Sequence, residues 1–508
     1  MSIMFSQELP IYAALVLLVL PLYYLYSKAS CRSKNTAVLP TNWPILHMFP
    51  SFVANLHKMN DYFTLVLARS GHNFRAHGPP GTGMRFFVTC DPANIRHIFT
   101  TNYTNFPKGV EFAAIFDIMS GGIFTIDGEP ARRQRTKNKS VLSSPCLVAR
   151  IEAWSRDKVE NNLLLFFTHM ASTSTSFNMQ ELMSRIEAWS RDKVENNLLL
   201  FFTHMASTST SFNMQELMSR LMFDLAAMPL FGVDPGLLSL DMPPMEAAVA
   251  MDTVMEVAYF RVVVPASCWK LMRRLNIGPE RKLKAAHKDD MFNALTISYM
   301  IAARDTVGTA LTWIFYNLSQ NPNIVSIIRN ELSPIASRKV AANPDAMVIF
   351  EPDETKSLVY LRAVLYETLR LYPPAPLERK MVAASDIMPS GHEVHAGDTI
   401  LISLHSMGRM EGIWGKDCLN YNPNRWLSED GNELRYVPSH KFLAFSSGPR
   451  MCLGKDIAVM QMKTVIASTL WNFDVEVMKG QCIEPKSSCI LEMKNGLIVK
   501  LKKREMLH

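Results

Sequence analysis

Ten residues near the carboxyl end constrain the fold and chemistry of this chain more than any other stretch. They run Phe445-Ser-Ser-Gly448-Pro-Arg450-Met-Cys452-Leu-Gly454, and an apolar helical pattern begins directly after the cysteine. A helix N-terminus favours negative charge, and the thiolate is the form of cysteine that binds metals. Gly448 and Gly454 permit a tight turn and close approach to a flat ligand, and Arg450 offers a cation to an anion at its edge. The stretch therefore predicts a thiolate ligand site.

This stretch resembles the haem-thiolate signature of the cytochrome P-450 monooxygenases, which is Phe, two residues, Gly, one residue, Arg, one residue, Cys, one residue, Gly. All five fixed positions match. The alternative is a buried, inert cysteine in a glycine-containing turn, the usual state of a single cysteine. Five matches at fixed spacing argue against that alternative. The resemblance implies a mainly α-helical fold with small β-sheets, haem b with Cys452 as the axial ligand of its iron, and Phe445, Gly448, Arg450 and Gly454 around the haem.

Composition narrows the other possibilities. The chain has 508 residues, 48% of them apolar, enough for a large core in one oversized domain or two ordinary ones. Its net charge of +7 comes without a long basic run interleaved with aromatics, which argues against a nucleic-acid partner. The eight cysteines are scattered and form no Cys-x-x-Cys pair. They indicate neither a zinc site nor a disulfide framework and are typical of a reducing compartment.

An uncharged apolar segment lies near the amino terminus, at residues 9–27. Its length is close to the roughly 20 residues that cross a bilayer as a helix. A cleaved signal peptide is the alternative, but its apolar region would be shorter and basic residues would precede it. Here Lys28, Arg32 and Lys34 follow the apolar segment. By the positive-inside rule, the end of the segment that these residues flank faces the cytosol. We predict a transmembrane anchor in residues 1–36 and a cytosolic domain in residues 37–508; by resemblance the membrane is that of the endoplasmic reticulum.

One segment of the chain is duplicated. Residues 151–185 recur letter for letter as residues 186–220. Solenoids repeat at similar periods but need at least three copies, so two identical copies indicate a recent duplication or an error in assembling the coding sequence. Because the second copy continues naturally into residues 221–231, we predict that the first is a surplus insert with little core of its own. The connector before residue 289 is also shorter than in the resembled family by dozens of residues.

Local patterns predict several elements. Residues 85–89 have the composition of a strand, and Asp91-Pro92 has that of a capped helix start. Residues 388–394 followed by 399–402 predict a hairpin. The long apolar run 291–318, ended by Asn321-Pro322, predicts a helix through the interior of the molecule.

The long helix contains Ala302-Ala303-Arg304-Asp305-Thr306-Val307. This run is similar to the family's oxygen-activation motif, Ala-Gly-x-Asp/Glu-Thr-Thr/Ser. An acid beside a hydroxyl relays protons from water to dioxygen, so that the oxygen–oxygen bond breaks heterolytically. The alternative is a threonine that bonds back to the preceding turn of its helix. The resemblance implies that Asp305 and Thr306 are catalytic.

A second helical pattern, residues 360–372, is halted by two prolines and carries Glu367 and Arg370 three positions apart. As an exposed pair they would contribute only about 0.2–0.5 kcal/mol. The flanking residues are apolar, however, which predicts a buried pair that needs a third partner. Arg425 resembles that partner in the family, so the resemblance implies a structural triad.

Other site residues follow from the resemblance alone. The haem propionates need cations, and Arg450, Arg379 and Arg135 occupy the corresponding positions; Arg135 ends a Trp-x-x-x-Arg motif whose aromatic position here is Ala131. The resemblance also implies a substrate pocket formed by Phe116, Ala302, Ala303 and Leu377.

Short segments such as Asn42-Trp43-Pro44 and Pro107-Lys108-Gly109 are most similar to the plant fatty-acid and alkane hydroxylase clan, specifically its mid-chain alkane hydroxylase group. That resemblance implies hydroxylation of a long apolar chain, an alkane or a fatty acid, with O2. Electrons would come from NADPH through a flavoprotein reductase. Oxidases of the same group that couple phenols are a second possibility, because the fold does not decide the substrate. The duplication, the short connector, Ala131 and Ala303 leave a third, which is a non-catalytic or impaired haem-binding product of a rearranged gene.

Overall fold

The computed structural model describes residues 40, 42–43, 45–119, 122, 124–141, 187–231, 234–286, 298–344 and 346–504. The chain divides into two compact units, Met1–Pro40 and Thr41–His508, and every element below belongs to the second. The predicted anchor and the first copy of the duplication lie outside the described residues. Across the ranges just given, no helix combines the length and apolar character needed to cross a bilayer.

Helices make up most of the described structure, as the sequence predicts. Their bounds are Phe49–Ala54 (α1), Met59–Arg69 (α2), Pro92–Arg96 (α3), Gly109–Ile115 (α4), Gly128–Val141 (α5), Leu199–Ser207 (α6), Met214–Phe231 (α7), Glu246–Val263 (α8), Ala266–Leu275 (α9), Gly278–Ala286 (α10), Thr306–Gln320 (α11), Pro322–Ala342 (α12), Pro352–Lys356 (α13), Val359–Leu371 (α14), Leu404–Met407 (α15), Glu411–Trp414 (α16) and Lys455–Asn472 (α17). Single π-helical turns occupy His97–Thr101, Val194–Leu198 and Ile301–Asp305.

The strands form small sheets. Their bounds are Asn73–His77 (β1), Arg85–Thr89 (β2), Phe212–Asn213 (β3), Leu377–Met381 (β4), Asp386–Ile387 (β5), Glu393–Val394 (β6), Thr399–Ser403 (β7), Phe473–Val477 (β8) and Ile498–Lys503 (β9). The largest sheet has the order β1-β2-β7-β4, with β2 and β7 parallel and both outer pairs antiparallel. A second sheet has the order β3-β9-β8, and β5 pairs with β6.

The predicted hairpin between residues 388–394 and 399–402 is wrong in its pairing. The hairpin that forms joins β5 to β6, and β7 instead lies between β2 and β4. All five residues of β7 are buried, which suits a strand paired on both sides. Its partner β2 lies some 300 residues away in the chain, so no local sequence pattern predicts that pairing.

Where local signals are strong, the predicted boundaries are confirmed. Strand β2 spans the predicted residues 85–89, and the Asp91 side chain accepts a hydrogen bond of 2.8 Å from the backbone N–H of Ala93, which caps α3. Helix α14 ends just before the two prolines, and α17 begins at Lys455, three residues after the cysteine.

The second copy of the duplicated segment lies in the main core. Val194, Leu198 and Phe202 are completely buried among α7, α11 and α17. Burying each such side chain contributes about 1.5–3 kcal/mol, so this copy is integral to the fold. Lys193 is also buried there, and its ammonium lies 3.1 Å from Asp224. The prediction that the first copy is surplus concerns residues outside the described ranges and stays a prediction.

The predicted interior helix is continuous from residue 298, through the π turn Ile301–Asp305, to the end of α11 at Gln320; residues 291–297 lie outside the described ranges. Helix α11 packs closely on α7, since a Cβ at Gly308 would lie 3.5 Å from the carbonyl oxygen of Met218. A π turn widens the helix locally and is common at functional sites. Here it coincides with the run that resembles the family's oxygen-activation motif.

Candidate active site

The cysteine loop is held tightly by its backbone. Gly448 has φ +60°, and a Cβ there would lie 2.1 Å from the carbonyl oxygen of Phe99, so only glycine fits. The backbone N–H of Cys452 donates a hydrogen bond of 2.8 Å to the carbonyl of Phe445. A Cβ at Gly454 would meet nothing within 4 Å, which leaves open space beside the thiol. The loop thus fixes Cys452 at the start of α17.

Cys452 is free and exposed. The protein around it still raises the pKa of its thiol above the ordinary value through loss of water, while the Gly454 backbone hydrogen bond and the charge of Arg135 act to lower the pKa. A metal ion would convert such a thiol to the thiolate. A single accessible sulfur with open space and a cation beside it fits the axial thiolate of haem.

The three arginines predicted to hold the propionates make different contacts. Arg450 donates to Asp127 at 2.9 Å and to the carbonyl of Ile126 at 2.7 Å. Arg135 donates to the carbonyl of Met451, next to the thiol. These two therefore flank the cysteine loop.

Arg379 is placed differently. It is buried, pairs with Glu111 and donates a hydrogen bond of 2.9 Å to Thr399. Together with Glu111 it lines a separate cavity of about 110 Å³. Its part in propionate binding stays a prediction.

Lys108 is a cation that the sequence analysis did not assign to the site. Its ammonium lies over the ring of Phe112, 4.5 Å from the centroid. Burial, helped by the charges of Lys380 and Arg450 and opposed by those of Glu378 and Asp127, lowers the pKa of Lys108 to about 7. The positive charges in this region outnumber the negative ones, which suits binding of the edge of haem that carries the propionates. The only signal in the sequence was the Pro-Lys-Gly run, which we used as a family marker.

The three residues of the predicted triad lie in contact, and further hydrogen-bond donors surround the Glu367 carboxylate. Arg370 makes a bidentate salt bridge with Glu367, with distances of 2.7 and 2.8 Å, and Arg425 Nε lies 2.9 Å from the same carboxylate. The Trp426 indole N–H and the Asn422 backbone N–H also donate to Glu367, at 2.9 and 2.8 Å. The side chains of Glu367 and Arg370 have no exposed surface. The sequence did not predict these last two donors.

The predicted relay pair lies on the π turn. Thr306 Oγ1 donates a hydrogen bond of 2.6 Å to the carbonyl of Ala302, which is the back-bonded arrangement considered as the alternative. The Asp305 side chain is 2% exposed and lies 2.8 Å from Arg304 Nη1. Burial, more than any neighbouring charge, raises the pKa of Asp305 to about 8. Near neutral pH the carboxyl thus holds and releases a proton readily, as a general acid must.

The predicted pocket residues separate into two groups. Phe116 and Ala303 pack against one cluster of buried apolar side chains, which we call the methionine-rich cluster. Its members include Met119, Met251, Met255, Met300, Ile301 and Ile490. Leu377 packs against a different cluster, and Ala302 is half-buried on the π turn.

Comparison with known proteins agrees with this geometry. A family profile described as "Cytochrome P450" matches residues 270–501. Noroxomaritidine synthase 2 of Narcissus pseudonarcissus is 32% identical over 99% of this chain and 98% of its own length. Alkane hydroxylase MAH1 of Arabidopsis thaliana is 31% identical over 91% of this chain and 93% of its own length, and cytochrome P450 86B1 of the same plant is 31% identical over 96% and 90%. The chain therefore belongs to the cytochrome P450 family, whose members are haem-iron monooxygenases.

Proposed function

We propose that this monooxygenase hydroxylates a long aliphatic chain, an alkane or a fatty acid, with O2 and electrons derived from NADPH. The observation that carries the proposal is the methionine-rich cluster beside the π turn. Unbranched, polarisable methionine side chains adapt their packing to a flexible apolar chain. Four of the buried members of this cluster, Met119, Met251, Met255 and Met300, are methionines. The relative named as an alkane hydroxylase supports the same substrate class.

We assign the following roles in haem binding and proton transfer to residues of this chain. Cys452 would hold the haem iron, and the haem-thiolate group supplies the oxygen-activating chemistry when it is bound. Arg450, Arg135 and Lys108 would neutralise its propionates, because their charges converge beside the cysteine loop. Asp305 would hold the proton that dioxygen cleavage consumes, and Thr306 would pass it on.

The electron donor we propose is an NADPH-dependent flavoprotein reductase. Helix α5 carries several basic residues and reaches the cysteine loop through Arg135. Arg132 and Arg133 of the same helix are exposed, so an acidic partner would find a basic face close to the thiol. Residues 1–36 would anchor the protein in the endoplasmic reticulum membrane.

A reduced carbon-monoxide difference spectrum of the full chain tests whether haem binds through thiolate. A thiolate-type Soret shift is expected, and its absence would contradict the haem-enzyme proposal for this chain. Turnover with a reductase, NADPH and separate long-chain alkanes, fatty acids and diphenols then identifies the substrate class by product analysis. Chain hydroxylation supports the proposal, and conversion of the diphenols alone refutes it.

Phenol coupling is the second candidate, and one observation favours it. The relatives named noroxomaritidine synthase are as similar to this chain as the named alkane hydroxylase, at 32% and 31% identity. The diphenol arm of the turnover experiment decides between the two.

An impaired haem-binding product is the third candidate, since Ala131 and Ala303 replace the family's Trp and Gly. Resequencing the transcript discriminates here. A single copy of the 35-residue block would remove the main argument for a rearranged gene.

A further inference from the structure

A connected group of charged side chains begins at Asp305 and ends at the protein surface. We call it the acid ladder, and its members are Asp305, Arg304, Asp252, Glu492, Lys486 and Glu256. They come from three separate parts of the chain, namely the π turn, helix α8 and the segment that precedes β9.

The inner part of the acid ladder is a close group of carboxylates. Oxygen atoms of Asp252, Asp305 and Glu492 all lie within 4.8 Å of one another. Arg304 Nη1 lies 2.8 Å from Asp305 Oδ1 and 3.2 Å from Asp252 Oδ1, and its Nε donates to Ser219 at 2.8 Å. One guanidinium thus serves two of the three carboxylates.

The outer part leads to solvent. Lys486 Nζ lies 3.7 Å from Glu492 Oε2 and 2.7 Å from Glu256 Oε1. The exposed fraction of the side chain rises in steps, from 2% at Asp305 to 15% at Glu492 and 43% at Glu256. Two members, Glu492 and Asp252, lie near Asp305 and also touch water, since the Asp252 side chain is 30% exposed. Asp252 pairs with Arg304, and Glu492 is the one that contacts Lys486.

The charges of the acid ladder do not balance. Its four carboxylates face two cations, Arg304 and Lys486, so full ionisation would leave two uncompensated negative charges in a partly buried group, of which Arg304 and Asp305 are the buried members. Carboxylates that share a buried site avoid this by sharing protons. Asp305 Oδ1 also accepts no hydrogen bond of good geometry despite its contact with Arg304. Burial and the negative charge of Asp252 raise the pKa of Glu492 as well.

We propose that Glu492 is the residue that transfers protons between solvent and Asp305. A proton from hydronium or a buffer acid binds a Glu492 carboxylate oxygen, and the Glu492 O–H then breaks as the Asp305 O–H forms. Lys486 and Glu256 position Glu492 from the outside. The step consumes no oxidant or reductant. Its catalytic meaning rests on the proposed function, because only a monooxygenase needs protons at Asp305.

The first test does not require haem. The full chain is titrated with pH while the infrared C=O band of buried carboxylic acid is recorded, and Asp305→Asn should remove the band that belongs to Asp305. In Glu492→Gln the titration midpoint of that band should fall, because one neighbouring negative charge is gone. Glu246→Gln, an exposed acid on the same helix α8 and outside the ladder, should leave the midpoint unchanged. An unchanged midpoint in Glu492→Gln, or an equal shift in Glu246→Gln, overturns the proposal.

The second test uses the haem-loaded enzyme with its reductase. Positioned proton-transfer groups contribute roughly 10²–10⁴-fold, and because Asp252 offers a second route we expect Glu492→Gln to lower product formed per NADPH by about tenfold. Its pH profile should shift and its solvent isotope effect should grow, while Glu492→Asp restores both. A variant that matches the wild type across pH overturns the transfer role. Absence of a thiolate-type Soret shift in the wild type refutes the proposed function, and the infrared titration still decides whether Glu492 and Asp305 share a proton.

Discussion

The triad around Glu367 and the acid ladder around Asp305 are both buried groups of charges, yet they are built in opposite ways. Both oxygens of Glu367 accept hydrogen bonds, from Arg370, Arg425, Trp426 and Asn422. Asp305 has one ion contact and an oxygen that accepts no hydrogen bond. In the triad, both oxygens of the carboxylate accept hydrogen bonds. In the acid ladder, the carboxylates outnumber the cations.

This difference separates structural from chemical roles. A buried carboxylate with a complete set of donors is fixed in its charged form, since protonation would break several strong hydrogen bonds. A buried carboxylate among other carboxylates changes its protonation readily. We therefore predict that the triad holds the segment that leads to the cysteine loop, and we propose that protons move through the acid ladder.

The largest expected effect comes from removing the sulfur that we propose binds the haem iron. Cys452→Ser should abolish the thiolate-type Soret shift and all turnover, because serine does not supply a soft thiolate ligand. Cys268→Ser is the matched control, since Cys268 is also free and exposed. A Cys452→Ser variant that keeps the Soret shift would show that another residue binds the iron.

The second largest effect is expected from a substitution in the triad around Glu367. Glu367→Gln should lower the free energy of unfolding by about 3–5 kcal/mol, because Arg370 would keep a buried charge without a counter-ion, whereas Arg425 retains Asp417 at 2.9 Å. Glu129→Gln breaks an exposed pair with Arg133, and should change stability by no more than about 0.5 kcal/mol. Denaturant unfolding measures both. Equal, small losses would mean that the triad does not hold the fold.

Lys193 offers the same test within the duplicated segment. It is buried against Asp224, and the identical Lys158 occupies its position in the first copy. Lys193→Met should cost about 3 kcal/mol, because Asp224 keeps two backbone donors, at Leu237 and Leu238, but loses its counter-ion. Lys158→Met should cost nothing measurable if the first copy is surplus. Equal costs would contradict that prediction.

The two regions also differ in how far the sequence revealed them. Glu367 and Arg370 lie on one helix three residues apart, and Arg425 resembles the third member of the triad in the family. The acid ladder joins Asp305 to Asp252 and Glu492, which are separated from it by long stretches of chain and belong to no motif. Helix starts and strand limits were predictable because caps and prolines act locally. The placement of β7 between β2 and β4 and the charge around Lys108 were not, since both depend on distant segments meeting.

The pH dependence of stability most directly distinguishes the two groups, because of the two only the acid ladder should make stability depend on pH near neutrality. The pKa of Asp305 is raised from 3.8 to about 8, so between those values the native state holds a proton that the unfolded state has lost. The free energy of unfolding should therefore fall as pH rises from about 4 to about 8, by at most about 1.4 kcal/mol per pH unit, and level off above. Asp305→Asn mimics the protonated form, so it should remove this slope and be more stable than the wild type at pH 8. Asp353→Asn, at a carboxylate that is 78% exposed, should retain the slope. Parallel curves for the wild type and Asp305→Asn would show that this buried carboxyl is fixed in one charge state and would remove the distinction between the two groups.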